Sequence, residues 1–175
     1  VIVAGHEIVA SDAFAEAAQL AEMLGAPVYQ QTVNDGAHFP SEHPAFMGSL
    51  NRNQAYVRDV LSPHDLVICL GSDLLRMSVY SPVDPLPADV AVVQIGQRDW
   101  EMGKNHAVEL ALRADVKETV AALLPVLAAR GGQDLVDRAK ASLADLATRN
   151  WSVQREEQRV RTIEMSDASP IEPAW

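Results

Sequence analysis

A chain of 175 residues with 48% hydrophobic and 22% charged side chains has an ordinary globular composition and is long enough for one packed core plus an appendage. Its formal net charge of −10 disfavours nucleic acid or an anionic bilayer as partner, because both demand a basic surface. No apolar run approaches the ~20 residues that cross a bilayer, no signal-peptide pattern is present, and the single cysteine, Cys69, admits no internal disulfide; a cytoplasmic protein is expected.

In chain order, "VIVAG" from Val1 to Gly5 is a β-branched run that ends on glycine and predicts a buried strand. Ser11 and Asp12 are placed to cap a helix running to about Leu24. Its Phe14, Ala17, Ala18, Ala21 and Leu24 recur at helical spacing, and Gly25 is a natural stop. Pro27 to Thr32 predicts a second strand. Val33 to Leu50 fits neither period, and Phe39 and Phe46 read as anchors docking this long loop on the core. A helix follows from about Asn53 to Leu61, with Tyr56, Val57, Val60 and Leu61 on one side. Asp65 to Gly71 is the strongest strand pattern, and Cys69 within it reads as a small buried hydrophobe. An irregular, Pro-containing stretch separates it from a strand over Val90 to Gly96. A shorter strand is expected around Val108 to Leu112, and a helix from Asp115 to about Ala129. After Gly131 and Gly132 a helical pattern runs from Leu135 to about Arg161, and Met165 to Trp175 reads as a linker. The expected organisation is a central α/β domain over 1–130, a helical extension over 131–165 and a linker over 166–175.

Strands that are apolar throughout and alternate with helices imply a parallel sheet covered on both faces, a three-layer, Rossmann-like α/β fold. In such sheets ligands sit beyond the carboxyl ends of the strands, where the strand order reverses. Three strands here end in glycine, at Gly5, Gly71 and Gly96, and glycine permits close approach of a ligand. Gly5, His6, Gly71, Ser72, Gly96 and Gln97 are therefore the candidate lining of an adenine-nucleotide pocket. The plainer reading is that each glycine turns the chain. The first turn, "GHEIVASDA", lacks the G-x-G-x-x-G fingerprint, and no Walker A loop or G-x-S-x-G elbow occurs. The scattered histidines offer no metal-ligand spacing. His43 precedes Pro44 and is held extended. Its ring is either an acid–base group beside a pocket or a local prop that bonds backbone.

The succession "VIVAG", "LAEMLGAPV", "GAHFPSEHPAFMGSL", "HDLVICLGS" and "VVQIG" followed by "EMGKN" resembles the central domain of the thiamine-diphosphate-dependent enzymes, among them acetolactate synthase and benzoylformate decarboxylase. The likeness covers about Val1 to Leu127. It implies a six-stranded parallel sheet flanked, in the parent protein, by a pyrimidine-binding domain and a pyrophosphate-binding domain. Thiamine diphosphate and magnesium would be held by those domains; the G-D-G motif of the latter is absent here, so the chain alone is expected to be inactive. The tail "ASPIEPAW" resembles the start of the pyrophosphate-binding domain. The resemblance also implies a homodimeric or homotetrameric parent and a 2-keto-acid decarboxylase or carboligase activity. Some relatives bind FAD or ADP in this domain through an acidic I-D-x-D pattern. Ile95-Gly96-Gln97-Arg98 stands there instead, which disfavours both nucleotides. Laid against the corresponding loop of benzoylformate decarboxylase, its arginine, tyrosine and proline fall on Arg76, Tyr80 and Pro82, and its catalytic histidine falls on Ser78. A hydroxyl does not relay protons at neutral pH as imidazole does. Arg76, Ser78 and His43 are the candidates for the approach to the active site.

Overall fold

The computed structural model describes residues 1–78 and 80–166; the linker expected beyond Ser166 lies outside the described residues. Six strands, β1 (Ile2–Ala4), β2 (Val28–Gln30), β3 (Phe46–Ser49), β4 (Leu66–Leu70), β5 (Ala91–Gly96) and β6 (Leu110–Arg113), form one all-parallel sheet in the order β3-β2-β1-β4-β5-β6. Val3 of β1 pairs with Tyr29 on one side and Cys69 on the other. The chain first winds outward through β2 and β3, then returns to place β4 on the opposite side of β1. The strand order therefore reverses between β1 and β4, the position where doubly wound sheets open a crevice.

Helices α1 (His6–Ala10), α2 (Phe14–Leu24) and α4 (Val116–Ala147) lie on one face, and α3 (Gln54–Leu61) lies on the other. The alternation of side chains along each strand assigns them. Ile2, Ala4, Leu70 and Ile95 pack with Ile8, Leu20, Val116 and Val120. Val1, Val3, Val67, Cys69 and Val92 pack with Val57 and Leu61 of α3 and with Leu74 and Leu75 of the loop after β4. Both faces of β1 and β4 are buried, which is why these strands read as unbroken apolar runs. No helix among the described residues is long and apolar enough to cross a membrane.

Three local expectations change. Ser11 and Asp12 do not cap α2, whose N-cap is Ala13 with no side-chain bond. The Ser11 hydroxyl instead donates to the Glu7 carbonyl at 2.7 Å, closing α1, a five-residue helix too short to show a period. The irregular stretch contains β3, where Phe46 is a strand residue and not a loop anchor. This strand hid because its first three residues are all buried, so no alternation shows, and its pairing with β2 shifts register between Val28 and Gln30. The helix expected from Leu135 to Arg161 is broken. α4 runs through a kink at Gly132 (φ 60°, ψ −164°) to Ala147, and α5 (Trp151–Ser166) starts afresh where the Asn150 side chain accepts the Val153 amide at 3.1 Å. At Gly25, as expected, a left-handed residue (φ 60°) ends α2.

The loop between β2 and β3 is packed, not loose. Phe39 is 1% exposed and its ring stacks on Phe46 at 6.0 Å. The His38 amide donates to Gln30 Oε1 at 2.7 Å, and His38 Nε2 meets Asp35 Oδ1 at 2.8 Å. The His38 ring is edge-on to His6 at 6.4 Å, and His6 Nε2 and His38 Nδ1 are buried without a protein partner. Burial first, then Arg98 and His38, hold the His6 pKa below the ordinary 6.5, while Glu7 and Asp35 oppose them.

Two outcomes follow from this packing. A methyl group on Gly5 would lie 2.2 Å from the Gly71 carbonyl oxygen and 2.3 Å from Ser72 Cα. Because backbone must move to admit it, Gly5→Ala should lower the unfolding free energy by roughly 3 kcal/mol in urea titrations. His6 binds a proton less readily folded than unfolded, so its contribution is fully present above pH 6.5 and is lost as pH falls below it. The urea midpoint should therefore drop from pH 7 to pH 5, and His6→Gln should flatten that drop; an unchanged slope in the variant would remove His6 as its source.

Candidate functional site

β1, β4 and β5 are neighbours in the sheet, and at their carboxyl ends stand Gly5 and His6, Gly71 and Ser72, and Gly96 and Gln97. The residue that joins them is one the sequence did not single out, Glu7. It is 9% exposed, and its carboxylate Oε2 accepts the Gln97 amide at 2.6 Å. The Glu7 amide donates to the Gly71 carbonyl at 3.1 Å, and the Gly5 amide donates to Leu70 at 3.0 Å. The space beside each glycine is occupied by the chain itself. A Cβ on Gly71 would lie 2.6 Å from Glu7 Cβ, and one on Gly96 would lie 2.9 Å from Glu7 Oε2. His6 opens α1 directly after Gly5. An acid in the turn "GHE" was the available signal, since a buried carboxylate always needs a donor.

Beside this rim runs the loop after β4. Asp73 is buried; its amide donates to Gln31 Oε1 at 3.2 Å and its carboxylate pairs with Arg76 Nη1 at 3.2 Å. The Arg76 carbonyl accepts the Thr32 hydroxyl at 2.9 Å. The exposed Ser78 hydroxyl accepts Arg52 Nη1, from the turn before α3, at 3.3 Å. Gln94 of β5, 2% exposed, spans the neighbouring loops: its Nε2 donates to the Ser72 and Glu101 carbonyls at 3.4 Å and its Oε1 accepts the Gly103 amide at 3.1 Å. A hydrogen bond with Asp73, then burial, holds the Glu101 carboxyl above its ordinary pKa. Arg76 and Ser78 thus stand on a loop held by Gln31 and Thr32 after β2, by Gln94 of β5 and by Arg52 before α3. Arg76 and Ser78 are the two positions of this loop that the sequence singled out for the approach to the active site. Sequence reading missed Gln94, whose amide inside "VAVVQIG" was the one polar interruption.

His43 has other partners. Its Nδ1 accepts the Ala45 amide at 3.1 Å, its Nε2 lies 3.2 Å from Glu22 Oε1, and its ring is edge-on to Phe39 at 5.2 Å. Both nitrogens are engaged in holding the turn at Pro44. Burial pushes the Cys69 thiol up to about 12, which leaves no thiolate for nucleophilic chemistry. Among the described residues no group of three or more His, Cys, Asp or Glu side chains could hold a metal ion, and no G-D-G occurs in the sequence. These residues do not fit a site for thiamine diphosphate and magnesium.

The family described as "Thiamine pyrophosphate enzyme, central domain" matches residues 1–123. A sulfoacetaldehyde acetyltransferase of Rhodobacter capsulatus is 32% identical over 184 positions, covering 100% of this chain and 31% of its own length. A benzoylformate decarboxylase of Pseudomonas aeruginosa is 31% identical over 124 positions, covering 71% of this chain and 23% of its own. The solved thiamine diphosphate-dependent 4-hydroxybenzoylformate decarboxylase of Rhodococcus jostii RHA1 superposes with a TM-score of 0.67 at 31% identity, over 73% of this chain and 24% of that one. The chain spans between about a quarter and a third of the length of these relatives. With its six parallel strands, its order reversal at β1 and β4, and a family match over most of its length, the chain belongs to the central-domain family of the thiamine pyrophosphate enzymes.

Proposed function

We propose that this chain is the central, structural domain of a thiamine-diphosphate-dependent enzyme that makes or breaks a bond to carbon at or next to a carbonyl, as a 2-keto-acid decarboxylase, a carboligase or an acetyl-transferring enzyme does. The observation that carries this reading is the family match over residues 1–123 joined to a span of only 31% of a full-length relative. Residues 1–130 act as a spacer between a pyrimidine-binding and a pyrophosphate-binding domain, and 131–165 with 166–175 lead toward the latter. The parent is a homodimer or homotetramer in which those domains hold the cofactor and magnesium. The loop around Arg76 and Ser78 supplies part of the approach to the active site, where Arg52 and Arg76 favour anionic substrates.

Acetyl transfer is favoured over benzoylformate decarboxylation. Similarity to the sulfoacetaldehyde acetyltransferase runs through α4 and α5 over the whole chain, whereas similarity to the benzoylformate decarboxylase covers 71% of it. Ser78 also stands where the resemblance places the histidine of that decarboxylase, and its hydroxyl is bonded to Arg52.

The full-length protein, supplied with thiamine diphosphate, magnesium and inorganic phosphate as acetyl acceptor, should consume sulfoacetaldehyde or pyruvate faster than benzoylformate. Absence of both turnover and cofactor binding in the full-length protein would sink the proposal. The 175-residue chain alone should show no turnover. In the full-length protein Ser78→Ala should lower kcat less than about tenfold, since loss of a general acid–base group typically costs ~10²–10⁴. A loss of a hundredfold or more would instead place the hydroxyl in the proton path.

A further inference from the structure

We infer that Glu7 is an internal plug: its Cβ and carboxylate fill the crevice at the carboxyl ends of β1, β4 and β5 where the diphosphate of a nucleotide would sit, so this domain takes no adenine nucleotide. The inference is opposite in sign to the pocket that Gly5, His6, Gly71, Ser72, Gly96 and Gln97 suggest in sequence, and it stands apart from the proposed activity.

Three independent features of the rim carry it. The first is steric. A glycine serves a ligand only if the space its missing side chain leaves is open, and here each space is taken. Gly5 backs onto Gly71 O at 2.2 Å, Gly71 onto Glu7 Cβ at 2.6 Å, and Gly96 onto Glu7 Oε2 at 2.9 Å, all measured from a Cβ built on the glycine.

The second is the fate of the amides. A phosphate at such an edge is held by free backbone N–H groups. The Glu7 amide is spent on the Gly71 carbonyl at 3.1 Å, the Ile8 amide on Gly5 at 3.2 Å, and the Gln97 amide on Glu7 Oε2 at 2.6 Å. The last bond is the telling one, because a carboxylate oxygen already stands at the place of an anion.

The third is charge and volume. The cavity beside the plug, lined by Glu7, Ala10, Ser11, Gln97, Asp115 and Val116, measures about 60 Å³, against the ~300–1,000 Å³ typical of ligand pockets. Glu7 and Asp115 give it two carboxyl groups; Asp115 is further engaged as the N-cap of α4 and with Gln97 Nε2 at 3.0 Å. A diphosphate would meet like charge on entering.

Isothermal titration of the 175-residue chain with ADP and with FAD tests the plug. The wild type should give no saturable heat up to 1 mM ligand, and Glu7→Ala, checked for folding by circular dichroism, should bind ADP at least tenfold more tightly than the wild type. Saturable wild-type binding below 1 mM overturns the inference, as does a folded Glu7→Ala with no gain. If that variant does not fold, the shorter Glu7→Asp, which withdraws the carboxylate from the Gln97 amide, is titrated in its place, and a folded variant without the gain in ADP affinity overturns the plug.

Discussion

Where β1 and β4 end, two backbones meet with no side chain between them. The reversal of strand order seats these strands side by side, and the chain leaving β1 must then turn at once into α1 beneath the exit of β4. Only glycine at residues 5 and 71 allows that, since a methyl on either would meet backbone or Glu7 Cβ well inside contact distance. Once the exits are pressed together, the next residue inward is committed. Glu7 is swept under the sheet edge, loses its water, and finds its donor in the first amide beyond β5. The closure at this edge therefore links three strands, and it decides both how α1 starts and how the β5 exit is held.

The rest of the carboxyl rim is held by buried amide side chains. Each strand exit leaves backbone groups that water cannot reach, and these must be satisfied inside the protein. Gln30 serves the His38 amide, Gln31 the Asp73 amide, and Gln94 the loops on both sides of β5. All three are under a tenth exposed. Glutamine suits the task because one side chain both donates and accepts. The consequence for function is a loop carrying Arg76 and Ser78 that is fixed by its surroundings, as a scaffold contributing to a composite active site requires.

The parallel sheet, α2 with its glycine stop, α3, and the strands about Asp65 and Val90 were legible in the sequence, because each rests on a local period or a breaker residue. Two elements were not. β3 is short, buried on both sides and shifted in register, so only its pairing with β2 makes it a strand. α1 has five residues, fewer than a helical period needs to declare itself. The break before α5 turns on Asn150, whose side chain caps a helix in the midst of a continuous helical composition.

The amino-acid sequence by itself determined the layer architecture, because burial of both faces of a parallel sheet leaves apolar runs that no other arrangement satisfies. It also determined that three strands would exit through glycine. Only the tertiary structure decided what those glycines admit. A glycine is a statement that something comes close, and whether that is a ligand or the protein's own backbone depends on strand order and on neighbours 66 or more residues away, such as Gly71 against Gly5 and Gln97 against Glu7. Local spacing carries no information about such partners, and here the partner is the chain itself.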